Sequence, residues 1–328
     1  MRRSALLHLI AAASILSASK VSQSKVAEGH VTESREGSCT ETVSHKVAEG
    51  HEGAHTEPAP PRVTLDGTPA TASPIETSLT LDGRAVHLRP LHEELQLTYV
   101  HNLLAPEEID DLVRLATSRG GWARSPLKKQ QSGADSMEND ARNSSSCPLL
   151  WPLVYSARLP ELKAAGRDDL IEELDLVSKL TKRIASLFTQ TGLELTDESI
   201  EPLQLVRYQS TELFSPHHDF HEYDSDGKLG SSLQGEQRQF TVLLFGSTLA
   251  ADAGGETHFP QLKLAVSPRK GDALVWANVD AEGQPNPRSL HEGRPPTEGH
   301  EKVAVNCWVA DQKFSVAGRM DNAVRMGS

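Results

Sequence analysis

The chain has 328 residues, a charged fraction of 24% and a formal net charge of −12. That length admits two domains of ordinary size or one large domain with appendages. The acidic balance argues against a surface built for bulk nucleic-acid binding, which draws on clustered Lys and Arg, and cysteines that number only three, without a C-x-x-C spacing, exclude a disulfide-dense scaffold.

Met1-Arg2-Arg3 is a cationic head, and Ala5–Ala18 is a mostly apolar run ending in small residues. The run is too short for a bilayer-spanning helix of about 20 residues, so residues 1–24 read as a secretory signal peptide, or otherwise an uncleaved membrane anchor. The expected location is the secretory pathway, in the endoplasmic reticulum lumen or membrane, or outside the cell. Residues 25–85 are rich in Ser, Thr, Glu, His, Gly and Pro, and Lys25–His30 (KVAEGH) recurs once as Lys46–His51. One duplication does not make a solenoid. Such a segment buries too little apolar surface to offset its ordering entropy, and it reads as a flexible stalk whose histidines are solvated.

Order is expected from near Leu79, with the main folded domain placed at 86–315 and a tail over 316–328. A helix is predicted over Pro106–Ser118, started at Asn102 or a residue beside it. Pro106 lies in its first turn, Glu107 and Glu108 at its positive end, and Ile109, Leu112, Val113 and Ala116 on one face. The polar stretch Gln130–Ser146 reads as a mobile loop near a site, and Asn143-Ser144-Ser145 within it is a glycosylation acceptor if the chain is lumenal. Leu170, Leu174, Val177, Leu180, Ile184 and Leu187 then recur at helical spacing up to Gly192.

Beyond Glu201 the period becomes strand-like: Leu203–Tyr208, Phe240–Phe245, Ala273–Trp276 and Val303–Val309 are short apolar runs between Gly, Pro, Asp and Ser clusters. With no helical pattern between them, an antiparallel sandwich or jelly roll fits better than a parallel sheet, with two helices packed outside. Cys147 and Cys307 could pair in an oxidising compartment if the geometry allows.

His217 and Asp219 are two apart, so on an extended chain both project to one face. The His-x-acid pattern alone selects nothing, since it occurs at His55, His92 and His217, about as often as composition would give. Only His217 follows a predicted strand and is followed in the same region by a second histidine between strands, His291. Two histidines and one carboxylate on one face of a metal are associated with non-haem Fe(II) oxygenases, whereas structural zinc wants four closed ligands, usually with thiolate. By residue type alone, ordinary polar loop histidines remain the competing reading.

The motifs around these residues carry more. Tyr208 and Pro216-His217-His218-Asp219-Phe220, Arg238–Leu244, Gly254-Gly255-Glu256-Thr257-His258-Phe259-Pro260, Pro268–Leu274 and Ser289-Leu290-His291-Glu292-Gly293 resemble, in order and spacing, the catalytic domain of prolyl 4-hydroxylases. The likeness runs from about Leu95 to Phe314. It implies an Fe(II)- and 2-oxoglutarate-dependent dioxygenase on a mostly β fold with flanking helices, its double-stranded β-helix (jelly roll) core lying at about 200–312. It also implies His217, Asp219 and His291 as iron ligands, Lys302 as the cation for the far carboxylate of 2-oxoglutarate, and Tyr208 and Thr241 as hydroxyl partners of that carboxylate. O₂ is the second co-substrate, ascorbate the reductant and a proline-containing peptide the acceptor. Arg142–Ser146 resembles a substrate-loop motif of the family, which makes Gln130–Ser146 a candidate lid.

One departure bears on Lys302. The family lysine falls ten residues after the second histidine, but here position ten is Glu301 and Lys302 is the next residue. Alternation places Lys302, Ala304, Asn306 and Trp308 on one strand face and Val303, Val305, Cys307 and Val309 on the other. The extra residue is therefore expected in the Gly293–His300 loop, with Arg294 and His300 as weaker substitutes for the cation. His218 is expected to point outward to solvent and His258 to be structural. Two other functions stay open: an oxygenase of the same class with another acceptor (lysine, a free amino acid or a small metabolite), and a non-catalytic binding module.

Overall fold

The computed structural model describes residues 62–63, 77–125, 142–230 and 232–316. The signal or anchor, most of the stalk with its repeat, residues 126–141 of the polar loop region and the tail from 317 lie outside the described residues. No helix among the described residues is long and apolar enough to cross a membrane.

Strands in chain order are β1 (Arg62–Val63), β2 (Thr77–Leu81), β3 (Arg84–His92), β4 (Leu97–His101), β5 (Ala123–Arg124), β6 (Ser145–Pro148) and β7 (Gln204–Tyr208). They continue with β8 (Phe214–His217), β9 (Arg238–Phe245), β10 (Thr257–Phe259), β11 (Leu264–Val266), β12 (Ala273–Ala277), β13 (His291–Gly293) and β14 (Lys302–Ala310). A nine-stranded sheet has the order β2-β3-β4-β12-β9-β14-β7-β6-β5, and a five-stranded sheet the order β1-β11-β10-β13-β8. Every named pairing is antiparallel except β1 with β11. This is the β sandwich with jelly-roll character and flanking helices that the sequence predicts.

Period-two alternation assigns each side chain to one of two cores. Val242 and Leu244 of β9, with Val303, Val305, Cys307 and Val309 of β14, pack against the helices through Ile109, Leu112, Val177, Leu180, Ile184 and Phe188. Leu243 and Phe245 of β9 and Ala304 of β14 face the other way, onto Tyr208, Leu274, Trp276, Phe259 and Val266 between the sheets. With both faces covered, the central strands read as nearly unbroken apolar runs.

The helices are Pro106–Ser118 and Asp168–Gln190, with two short ones between them. The first is not capped by Asn102. Asn102 sits at φ 58°, and its side chain holds Arg84 and the Ala85 carbonyl of the β2–β3 hairpin instead. The N-cap is Ala105, which has no side-chain acceptor, and its backbone N–H donates to Glu108 at 2.8 Å. In the longer helix Leu174, Val177, Leu180, Ile184 and Leu187 are buried, as their spacing predicts.

The first hairpin starts at Thr77, within two residues of the Leu79 at which order is expected, but before the stalk boundary drawn at 85. The hairpin β2–β3 runs in register from Thr77 opposite Leu88 to Leu81 opposite Arg84, so the folded domain includes residues the sequence assigns to a stalk ending at 85. The cysteine pair does not form: Cys147 and Cys307 are both free and buried. Cys147 on β6 faces Leu205 of β7, and β14 lies on the far side of β7. Two strand spacings of about 4.8 Å exceed the roughly 7 Å that a disulfide can bridge between Cα atoms.

Candidate active site

The short strands β8 and β13 pair so that His291 lies directly opposite His217. Each imidazole is fixed by the same device. His217 Nδ1 lies 2.8 Å from the Ser215 carbonyl and His291 Nδ1 lies 2.8 Å from the Ser289 carbonyl. A carbonyl only accepts, so Nδ1 carries the proton and Nε2 is left with a free lone pair. Both Nε2 atoms turn to Asp219, at 3.7 Å from Oδ1 and 3.6 Å from Oδ2. The three ligating atoms lie within 4.8 Å of one another.

The electrostatics suit a cation. Burial, and then neighbouring His291, push His217 down to about 3, so the ring is neutral near pH 7. Burial alone would raise Asp219, but His291, His217, Arg238 and the Thr241 hydroxyl together hold it below the usual carboxylate range. Two imidazoles, one carboxylate and no thiolate form the donor set associated with non-haem Fe(II) sites. His217, Asp219 and His291 fit that ion and would hold it where they line the cavity.

A cavity runs from these residues along the inner faces of β7, β9 and β14 to Lys302, lined also by Tyr208, Phe214, Thr257, Trp276 and Asn306. Lys302 is 2% exposed, and burial pushes its ammonium down to about 8, against the pull of Glu256. Its Nζ donates to Thr257 Oγ1 at 3.3 Å and lies 5.6 Å from the centre of the Tyr208 ring. The ion pairs among the described residues include none to Lys302. A buried cation with no ion-pair partner among the described residues, lining the same cavity as the three candidate metal ligands, can receive the carboxylate of a ligand.

Glu301 stands outside this cavity, half exposed and 3.9 Å from Arg207. The cross-strand pair Lys302 with Tyr208 sets the register, so the extra residue lies in the preceding loop. Arg294 pairs with Glu292 and His258, and His300 bonds Thr297; neither lines the cavity.

Thr241 does not sit where the resemblance puts it. Its hydroxyl donates to Asp219 Oδ2 at 2.8 Å and accepts from Asn278 at 2.9 Å. Thr241 lies opposite Trp308 of β14, six residues from Lys302; at about 3.4 Å per residue that is some 20 Å away. The hydroxyl beside Lys302 belongs to Thr257, which strand alternation around His258 could have revealed. Tyr208 is in place at the cavity floor, where its side chain also bonds Ser144.

Gly254 and Gly255, both at φ near 70°, turn the chain into β10. A Cβ on Gly254 would meet the Pro295 carbonyl at 2.5 Å and one on Gly255 would meet Leu249 at 2.5 Å, so only glycine fits. His258 is structural, 2.6 Å from Glu292. His218 is half-buried against Ser289 and Phe220 rather than solvent-exposed.

Arg238 and Arg142, which the sequence places only within motifs, and Phe214, which it leaves unremarked, also frame the site. The Arg238 guanidinium forms two bonds to Glu201, at 2.7 and 2.8 Å, and reaches the Asp219 carbonyl. Phe214 stacks on His217 with centroids 3.5 Å apart, and Arg142 covers its far side at 4.6 Å. Arg142 thus joins the end of the candidate lid to a metal-facing histidine, the rest of that lid being outside the described residues. Asn143 is engaged by Leu213 at 2.6 Å and by the Thr211 carbonyl. A glycan on Nδ2 would contest the bond to Thr211, while Oδ1, the acceptor for Leu213, stays in place.

The sequence model of the 2OG-Fe(II) oxygenase superfamily matches residues 203–310, which include His217, Asp219, His291 and Lys302. "Probable prolyl 4-hydroxylase 7" of Arabidopsis thaliana is 29% identical over 232 residues, covering 65% of this chain and 62% of that protein. "Probable prolyl 4-hydroxylase 6" of the same plant is 30% identical over 229 residues, covering 64% of this chain and 67% of that protein. The chain thus spans a little under two thirds of the length of the first relative. Among solved structures, a viral collagen prolyl hydroxylase from Paramecium Bursaria Chlorella virus-1 in complex with 2OG overlays with a TM-score of 0.46 at 20% identity, over 65% of this chain and 95% of that one.

Proposed function

The chain belongs to the prolyl 4-hydroxylase family of 2OG-Fe(II) oxygenases, and from that membership we propose that it hydroxylates C4 of proline within a peptide. The observation that carries this reading is one cavity holding the His217, Asp219, His291 donor set at one end and the unpaired Lys302 ammonium at the other.

Bound Fe(II) and 2-oxoglutarate would supply the oxidising chemistry, one atom of O₂ going to the prolyl C–H and the other to succinate as CO₂ is lost. The protein supplies position and exclusion of water. His217, Asp219 and His291 would hold the metal on one face, each histidine kept in its tautomer by a backbone carbonyl. Lys302, Thr257 and Tyr208 would hold the far carboxylate and so aim the keto acid at the metal. Phe214 and Arg142 line the side where an acceptor peptide can lie. The same reading includes ascorbate as reductant, a proline-containing peptide as partner, and work in the secretory pathway with residues 1–24 as signal or anchor.

The test is succinate release from iron-loaded protein over collagen-like, polyproline and mixed peptides, followed by locating the added oxygen by mass spectrometry. Release that depends on a proline peptide, with oxygen on proline, is the expected result. Oxygen on another residue would transfer the reading to a different acceptor, and no release above background with any peptide would end it.

A further inference from the structure

Among the described residues lining the cavity, one buried side-chain polar atom has no hydrogen-bond partner: the indole nitrogen of Trp276. The side chain is 1% exposed. It stands edge-on to His291, with centroids 4.7 Å apart at 64°, and to Phe259 at 5.4 Å and 85°. Across the sheet it is paired with Thr241, whose hydroxyl holds Asp219. Trp276 is therefore level with the metal face, at the opposite end of the cavity from Lys302.

The other polar groups of the wall are engaged. His217, His291, Asp219, Thr257, Lys302 and Asn306 each have a partner. An indole N–H is a donor only, and a buried donor left unmade costs about as much as a lost hydrogen bond, so native structures seldom leave one. That nitrogen has almost no accessible surface in this structure, so an acceptor carried by a ligand satisfies it once the ring turns its N–H edge to the cavity.

We infer that the Trp276 indole N–H is a binding group for the metal-end oxygens of the 2-oxo acid, the counterpart of Lys302 at the far carboxylate. This rests on the proposed function for its ligand, but adds a residue of this chain to that ligand's recognition. The acceptor class is an anionic carboxylate oxygen, to which a neutral donor contributes more than to a neutral acceptor. Asn278 Oδ1, two residues along the same strand face, is also without a partner. A water bridging Asn278 and Trp276 is the competing arrangement, and it would leave the indole indifferent to the ligand.

The discriminating variant is Trp276→Phe, which keeps an aromatic ring against His291 and Phe259 and removes only the donor and the fused ring. In zinc-loaded full-length protein, where the closed-shell metal cannot turn over, adding 2-oxoglutarate should move one indole N–H proton resonance downfield. That resonance should be missing in Trp276→Phe. By calorimetry, the variant should bind 2-oxoglutarate roughly ten- to hundredfold more weakly, with zinc affinity unchanged. An indole resonance unmoved by 2-oxoglutarate, or equal affinities of variant and wild type, overturns the inference. Loss of zinc and 2-oxoglutarate affinity together would reassign Trp276 to packing on His291 and overturn it equally. Wild-type protein that binds no 2-oxoglutarate removes the ligand itself and takes the proposed function with it, so the two failures are distinct.

Discussion

At the scale of residues, the two ends of the cavity make separable demands. Thr241 serves the metal end through Asp219, and Thr257 serves the carboxylate end through Lys302. Thr241→Val should weaken Fe(II) binding about 10- to 100-fold, the usual effect of losing a partner that orients a metal ligand. It should leave the 2-oxoglutarate affinity of metal-saturated protein nearly unchanged. Thr257→Val should do the reverse, and anaerobic calorimetry of both ligands on both variants checks the pair. Lys302 adds a dependence on pH. Burial pushes its ammonium down to about 8, so the cation is present below that pH and lost above it. Because the carboxylate binds the charged form, the 2-oxoglutarate dissociation constant should be flat below pH 8 and rise toward tenfold per unit above it. A titration between pH 6.5 and 9.5 reads this, and Lys302→Met should flatten the profile at weak affinity.

At the scale of elements, strand alternation decides which of two adjacent residues enters the site. Lys302 faces Tyr208 inside, while Glu301 faces Arg207 and solvent. Exchanging them, Glu301→Lys with Lys302→Glu, would bury an unpaired carboxylate where the ligand carboxylate belongs. It should abolish 2-oxoglutarate binding and destabilise the fold by several kcal/mol, measured by calorimetry and urea unfolding. This much was legible beforehand, because β14 is long enough for its period to be read through a loop of unusual length. The long helices and the strands β7, β9, β12 and β14 were legible for the same reason. β8, β10, β11 and β13 were not, being three or four residues long, and β8, β10 and β13 carry the site's polar groups in place of an apolar alternation. Thr241 was misplaced because a motif preserves residue type but not distance, and which of two threonines meets Lys302 depends on cross-strand register. The stalk boundary at 85 overruns β2, although order is expected from near Leu79, because Thr-Ser-Leu-Thr-Leu is compositionally like the polar segment before it.

At the scale of the whole molecule, the site sits between two sheets, and the helices cover the outer face of the larger one. Arg183 of the long helix ties that cover to the first hairpin. It bonds Asp82 of the first hairpin at 2.9 Å, Glu108 of the first helix at 2.7 and 2.8 Å, and the Leu103 carbonyl at 3.2 Å. It is nearly buried, so removing it leaves Glu108 without its main partner. Arg183→Met should cost about 3–5 kcal/mol in urea unfolding while sparing the chemistry of the folded fraction. One cavity joins a His217–Asp219–His291 metal face to a Lys302 carboxylate receptor, and in the proposed function it hydroxylates peptidyl proline. The most direct measurement is a turnover under ¹⁸O₂ with a proline-rich peptide, followed by mass spectrometry of peptide and succinate. One labelled oxygen on proline and one in succinate, formed in equal amounts and absent in Asp219→Ala, is the result expected. Label in neither product, or equal yields from Asp219→Ala, would contradict it.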